Sequence, residues 1–458
     1  MKKWFIGVLA MVMLVSVAAG CSSVTGNGSD DVNGNGGKEG QSSTGKESEK
    51  GQVTIKLHHW YNDKQDHWDE VIAAFEEEFP HIRVESVTAG DNNSNEMLKK
   101  VDLAAASGDG MDIIMVNNHE NYAQRVGLGM FEPLNAYMEK ESLNYEEVYK
   151  VGTDIEGQYY ALPGKFNQFF IMINKDKLDK ANLPIPTDWT WDDYLAYAKA
   201  MTEGEGASKQ YGTYFHSWSD YVKLALFSQP QNSNLVKDDG ESSNGDNPLL
   251  RKSLEIRHQA QEVDGSATPY MDVITQKLNY RTQYFGQSAA MIMTGSWMVP
   301  EAGGTDKIPA EFQTVFAPYP KNNESDKLYT RVSSDLMAIY AKSKHKDEAY
   351  QFIRWYTTEG ITMQGKYLPS WKQADMKQVV DTLVNSSKNP EMVHKESLIS
   401  VLENAIPAPI SAPVPFIGEV EKAYLEETDK FLLGEQDIDT TLEQAQEKIE
   451  KIIKANTN

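Results

Sequence analysis

The sequence predicts an α/β protein that opens as a doubly wound sheet flanked by helices. Three observations carry this. Apolar residues switch between strand and helix spacing over residues 53–116; a buried-type run closes the series; and 40% hydrophobic residues in 458 suffice for two or three domains. Val53, Ile55 and Leu57 alternate as in a strand, and Trp68, Val71, Ile72, Phe75 and Phe79 recur at helical spacing up to Pro80. Ile82, Val84 and Val87 give a second strand. Asn93, with Glu96 three residues on, caps a helix running to Gly108. Met111 to Val116, apolar but for a structural Asp112, fits a parallel strand covered on both faces. Such sheets bind ligands beyond the carboxyl ends of their strands, which directs attention to the loops Trp60–Lys64 and Asn117–Tyr122.

Further along, Phe169–Ile173 reads as an apolar strand. Thr190 and Asp193 form a capping box for a helix starting at Trp191. Asp238–Asn247 is an exposed loop. Pro407, Pro409, Pro413 and Pro415 exclude both helix interior and central strand. Leu442, Ala445, Ile449 and Ile452 mark a final amphipathic helix.

The first twenty residues read as a secretory signal peptide. Lys2 and Lys3 precede sixteen uncharged residues, Trp4 to Ala19, too short to span a bilayer as a helix. Ala18-Ala19-Gly20-Cys21 resembles a bacterial lipobox, although the commonest carry Leu where Ala18 stands. That resemblance implies an acylated (palmitate-bearing) Cys21 as first mature residue and anchorage at the extracellular face of the cell membrane. An ordinary signal peptide with a chance cysteine is the alternative. Cys21 is the only cysteine, so disulfides and thiolate zinc sites are excluded. Ser22–Gln52 holds eight Gly and six Ser and no aromatic residue, and reads as a flexible tether. Its reach is on the order of 30 Å. A formal charge of -23 repels phosphate backbones, so nucleic acid is excluded as a partner.

Phe285-Gly-Gln-Ser-Ala-Ala-Met-Ile-Met-Thr-Gly-Ser-Trp297 resembles the signature segment of the family-1 extracellular solute-binding proteins, the sugar-capturing subunits of bacterial ABC importers. Matching pieces follow the same order: Trp60–Lys64, Asp112-Ile-Ile, Tyr160–Pro163 with Ile173–Asp176, Thr190-Trp191, and Ala338–Ala349 with Phe352-Ile353. The resemblance implies a maltose-binding-protein-like fold of two lobes, each a mostly parallel sheet flanked by helices, with the ligand between them. It divides the chain into 53–163 plus 318–369, and 164–317 plus 370–458. It further implies a monomer without cofactor or metal that delivers a carbohydrate to ABC permease subunits.

The residues themselves supply suitable chemistry. A pyranose presents apolar faces and a rim of hydroxyls, so it needs aromatic plates and planar polar groups. Trp68, Trp189, Trp191 and Trp355 sit where core roles are expected. Trp60, Trp218, Trp297 and Trp371 lie in loops or at element ends and are candidate plates, the alternative for each being packing on its own lobe. Asn62, Asp63 and Lys64, then Asn117 and Asn118, follow the first and third strands, and Lys64 resembles a sugar-contacting lysine of the family. Asn167, with Gln168, lies beside the first crossover, and Ser334 and Asp335 precede the Leu336–Tyr340 strand, from which they would face the cleft. A glycoside hydrolase, a receptor for peptides or metals, and an adhesin are the rival classes. With 67 acidic residues, paired carboxylates arise by chance and favour no hydrolase. No nucleophile elbow, phosphate loop or zinc helix motif is present. Adjacent His58 and His59 point to opposite faces of a strand.

Overall fold

A computed structural model describes residues 51–90, 92–408 and 414–457. The signal peptide, Cys21, the tether up to residue 50, and Pro409 and Pro413 lie outside the described residues.

Eight strands form one mixed sheet: β1 (Val53–His59), β2 (Ile82–Thr88), β3 (Ile113–Val116), β4 (Ala161–Asn174), β5 (Tyr211–Tyr214), β6 (Ala289–Gly295), β7 (Thr314–Ala317) and β8 (Val332–Ile339). Their order is β2-β1-β3-β8-β4-β6-β5, with β7 also on β4. The pairs β1–β2, β1–β3 and β5–β6 are parallel, as strand–helix–strand units require, whereas β4 and β8 run antiparallel to their neighbours. Helices α1 (Trp68–Glu78), α2 (Ser94–Ser107) and α3 (His119–Gly127) connect or follow the first three strands.

The local signals act as the sequence suggests. Asn93 accepts from the Glu96 amide at the start of α2, and Gly108 ends that helix at φ 80°. Thr190 and Asp193 complete a reciprocal capping box on the helix Trp191–Ala200. Every residue of β3 is buried. Asp112, just before it, accepts from the Lys56 amide at 2.9 Å and from the Ser343 hydroxyl at 2.5 Å, a structural role.

β4 joins the two lobes. Its first half, Ala161–Gln168, pairs with β8, and its second half, Phe169–Asn174, pairs with β6 and β7. Because side chains alternate across a strand, the second half feeds two cores. Phe170 and Met172 join Tyr284, Ile292 and Phe316, while Phe169, Ile171 and Ile173 join Trp191, Met291 and Val315. A third core gathers Ile55, Trp68, Ile113, Leu336 and Phe352 around the first three strands. Leu368–Ser370 passes beside β4, with the Phe166 amide bonded to Leu368 and the Ser370 amide to Gly164.

Two antiparallel helices, Ile417–Leu432 and Ile438–Thr457, end the chain and pack on α3 and on the helix Pro248–His258. The second buries Ala445, Ile449 and Ile453, with Ile453 rather than Ile452 completing the inward stripe. No helix among the described residues is long and apolar enough to cross a membrane.

Candidate functional site

A cleft of about 1180 Å³ opens where β1, β3, β4 and β8 meet the segments that follow β5 and β6. Nine of the eleven sequence candidates border it: Trp60, Asn62, Lys64, Asn117, Asn118, Asn167, Trp218, Trp297 and Asp335. Asp63 and Trp371 do not. The Asp63 carboxylate turns inward to accept from the Ser86 hydroxyl at 2.8 Å and face His59 at 3.3 Å, while its carbonyl accepts the Trp68 amide at 2.7 Å. These contacts make it the turn that launches α1, and the bond from His59 holds its carboxyl below the usual range. Trp371 pairs as an isolated bridge with Tyr149 and does not border the cleft. Gln168 also turns away, donating to the Val401 carbonyl at 3.2 Å. Ser334 is spent on the Lys165 carbonyl at 2.6 Å.

The floor is a buried polar network joining the loop after β1, the first half of β4, β8 and the turn at Tyr367. Tyr61 donates its hydroxyl to Asp335, and Lys165 donates to the Tyr61 oxygen at 3.0 Å while lying 3.8 Å from Asp335. The Lys165 ammonium also stands 4.0 Å from the centre of the Tyr367 ring. Tyr367 in turn donates to Asp66, which also accepts from the Asn62 amide at 3.1 Å. Burial pushes the Asp335 carboxyl up and the Lys165 ammonium down, and each is opposed by the attraction of the other. Asn167 donates to Asp335 at 3.3 Å, but its own carbonyl oxygen is buried with no partner among the described residues. A buried amide left half-satisfied at a cleft wall is an open acceptor for a ligand hydroxyl.

One wall is aromatic. Trp297 follows β6 directly and donates its indole N–H to the Tyr280 hydroxyl at 3.3 Å. Phe169 meets its ring edge-on at 5.1 Å, and Trp218 lies 6.4 Å away. The indole folds back over Gly295, where a Cβ would sit 2.1 Å from Cζ3. Glycine is required there for close approach, its φ of -137° being unstrained. His216 packs 4.7 Å from Trp218. Burial, with Arg257 and Arg281 nearby, lowers its pKa to about 4, so it is a neutral donor and acceptor at pH 7. Trp60 borders the cleft from β1, buried beside Tyr61 at 5.2 Å.

The amides after β3 are partly committed. Asn118 caps α3 through the Asn121 amide at 2.8 Å, and Asn117 bonds Ser94 and Asn121 at 3.0 and 2.9 Å. Among the described residues no His, Cys, Asp and Glu group is placed to hold a metal ion.

Sequence reasoning passed over Tyr61, Tyr280, Arg281, Arg331 and Tyr367, all bordering the cleft. Tyr61 stood inside the Trp60–Lys64 segment. Arg331 lies well away from any expected crossing, whereas Tyr367 lies close to the one expected near residue 370. Proximity to a crossover was therefore a usable signal. Tyr280 and Arg281 carried none, because only the tertiary fold brings their short helix to Trp297.

Two-lobed α/β architecture, a cleft at strand ends and an aromatic wall define a ligand-binding protein. Residues 61–363 match the family described as bacterial extracellular solute-binding protein, and the chain belongs to that family. It is similar to the multiple sugar-binding protein of Streptococcus mutans serotype c, at 24% identity over 378 residues, which is 78% of this chain and 79% of that protein. Among solved structures it resembles an ABC substrate-binding protein of Listeria monocytogenes in complex with cycloalternan. The TM-score is 0.73 at 20% identity, over 88% of this chain and 99% of that one. The GacH receptor of Streptomyces glaucescens, solved unliganded and with acarbose, gives a TM-score of 0.68 at 18% identity, over 88% and 99% of the two chains.

Proposed function

We propose that this solute-binding protein is a carbohydrate receptor, taking an oligosaccharide between its lobes for delivery to the permease subunits of an ABC importer. The observation that carries the reading is the cleft lining, in which the half-buried Trp218 and Trp297 offer apolar ring surface beside amides and hydroxyls, with the buried Trp60 at its border. Aromatic plates match the C–H faces of pyranose rings, and Asn62, Asn117 and Asn167 match the hydroxyl rim. A volume of about 1180 Å³ exceeds the roughly 300–1,000 Å³ typical of drug-sized ligands, which favours several sugar units over one. The relatives named for sugar binding support the same class.

The lobes are residues 53–163 with 318–369, and 164–317 with 370–458, and the three crossings act as the hinge. A sugar touching both lobes favours the closed form. No catalysis is assigned: Glu301 is clamped by Arg281 at 2.7 and 2.9 Å, and Asp335 by Lys165, Tyr61 and Asn167. Carboxylates so engaged suit binding rather than proton transfer. The mature chain is a monomer held by acylated Cys21 at the extracellular side of the cell membrane, with residues 22–52 as tether.

A thermal-shift screen of plant and algal oligosaccharides tests this, since a ligand that binds the native state raises the melting temperature. At least one oligosaccharide should raise it and be recovered unchanged by chromatography. Stabilisation by peptides alone, or turnover of the sugar, would overturn the reading.

A further inference from the structure

Seven basic and seven acidic side chains border the cleft, in a chain whose totals are 44 and 67. The cleft thus escapes the negative charge of the rest of the protein. Its two signs are not equally engaged.

Each cleft carboxylate has a donor or cation of the protein on it. Glu301 is held by Arg281 and Asp306 by Lys388 at 2.7 Å. Asp335 has Lys165, and Asp66 has the Tyr367 hydroxyl and the Asn62 amide. Arg331 faces both Asp220 and Glu120, and Lys223 pairs with Glu421. Lys64, Lys307 and Lys366, by contrast, make no side-chain hydrogen bond or ion pair among the described residues. The charge left for a ligand is therefore positive.

Two of these lysines belong together. The loop carrying Lys64 is stitched to the turn carrying Lys366: Gln364 donates to the Asp66 carbonyl at 2.6 Å, and His67 donates to the Gln364 carbonyl at 3.2 Å. Lys366 is half-buried between Gln364 and Tyr367. Burial lowers its pKa, and Asp66 and Glu70 act on it only at a distance. An ammonium that loses water and has no carboxylate in direct contact is stabilised when an anion reaches it. The same cleft carries the Trp218 and Trp297 rings, which suits an anion carried on a ring-bearing ligand.

Resting on the carbohydrate reading, we propose that the cleft selects an acidic oligosaccharide, with Lys366 and Lys64 receiving the carboxylate of a uronate unit. An ester of the same sugar keeps the ring faces and hydroxyls but loses the charge. It isolates the lysines' contribution.

The experiment is calorimetry with trimers and tetramers of galacturonate, glucuronate and mannuronate, each beside its methyl ester and beside neutral xylo- and gluco-oligosaccharides. The proteins are the wild type, Lys366→Gln and Lys64→Gln/Lys366→Gln, each checked for an unchanged unliganded melt. An acidic oligosaccharide should bind at least about tenfold more tightly than its ester, as a charge-assisted contact predicts. That gap should close in the double variant, and wild-type affinity for the acid should fall as salt rises from about 50 to about 500 mM. Neutral or esterified sugars binding as tightly as the acids would overturn the acidic selection while leaving the carbohydrate reading intact. An acid–ester gap that survives in the folded double variant would overturn the assignment to these lysines. No binding of any sugar, acidic or neutral, would overturn both readings.

Discussion

Trp191 and Trp297 both stand at the start of a helical segment, yet the fold uses them differently. Trp191 is fully buried, meeting Tyr194 and Tyr319 edge-on at 5.4 and 5.3 Å. Trp297 is half-buried at the cleft, turned back over a glycine, with its N–H on Tyr280. Trp191 begins a helix whose apolar stripe packs on the sheet, so its ring must go inward. Trp297 begins a short turn at the carboxyl end of a strand, where a doubly wound sheet leaves its crevice. Position relative to the strand ends, more than residue type, separates a core ring from one that borders the cleft.

Removing one member from each side sharpens that contrast. Trp191→Ala should lower stability by about 3–5 kcal/mol in urea melts, leaving sugar affinity per folded molecule unchanged. A large affinity loss there would blur the distinction. Asp335→Ala should cost about 3 kcal/mol or more, because it strands the buried Lys165 ammonium, and should weaken binding as well. Replacing both as Lys165→Met/Asp335→Leu should restore much of the stability but not the affinity. Gly295→Ala places a methyl against the Trp297 ring, which can swing where backbone cannot. The expected result is a loss of about 1–3 kcal/mol of binding with little change in the unliganded melt.

The smallest effect lies between the two terminal helices, at a carboxylate that does not line the cleft. Lys430 and Lys448 hold the Glu427 carboxylate at 2.8 and 2.7 Å and bring its pKa down to about 2 from an ordinary 4.5. A depressed carboxyl stabilises the fold above its unfolded pKa and loses that contribution as pH falls through the folded one. Glu427→Gln should therefore flatten the melting-temperature profile between about pH 4.5 and about pH 2 without touching sugar affinity. An unchanged profile would show that the pair contributes nothing to acid stability.

Periodicity exposed most of the elements. Trp68, Val71 and Phe75 do form the buried stripe of α1, and the caps at Asn93 and Thr190 sit where their spacing put them. β4 was only half legible. Phe169–Ile173 is plainly apolar, but the first half, which holds Pro163 and Gly164, shows no strand pattern, and pairing with β8 carries the strand through it. In the cleft, residues after β1, β3 and β6 were visible because strand ends face the crevice. Trp371 was misplaced by the same logic: it lies in a loop, but that loop has already passed to Tyr149. Asp63 shows the opposite failure, a polar turn residue next to the cleft that is consumed by His59 and Ser86.

The most direct measurement pairs two numbers on Trp297→Ala: affinity for the oligosaccharide that raises the melting temperature, by calorimetry, and unliganded stability, by urea denaturation. A cleft plate predicts a loss of about 2–4 kcal/mol of binding, roughly thirtyfold to a thousandfold, with stability close to wild type. A variant destabilised by about 3–5 kcal/mol that still binds with wild-type affinity per folded molecule would contradict the account, because Trp297 would then be a core residue and the cleft's aromatic wall no sugar platform.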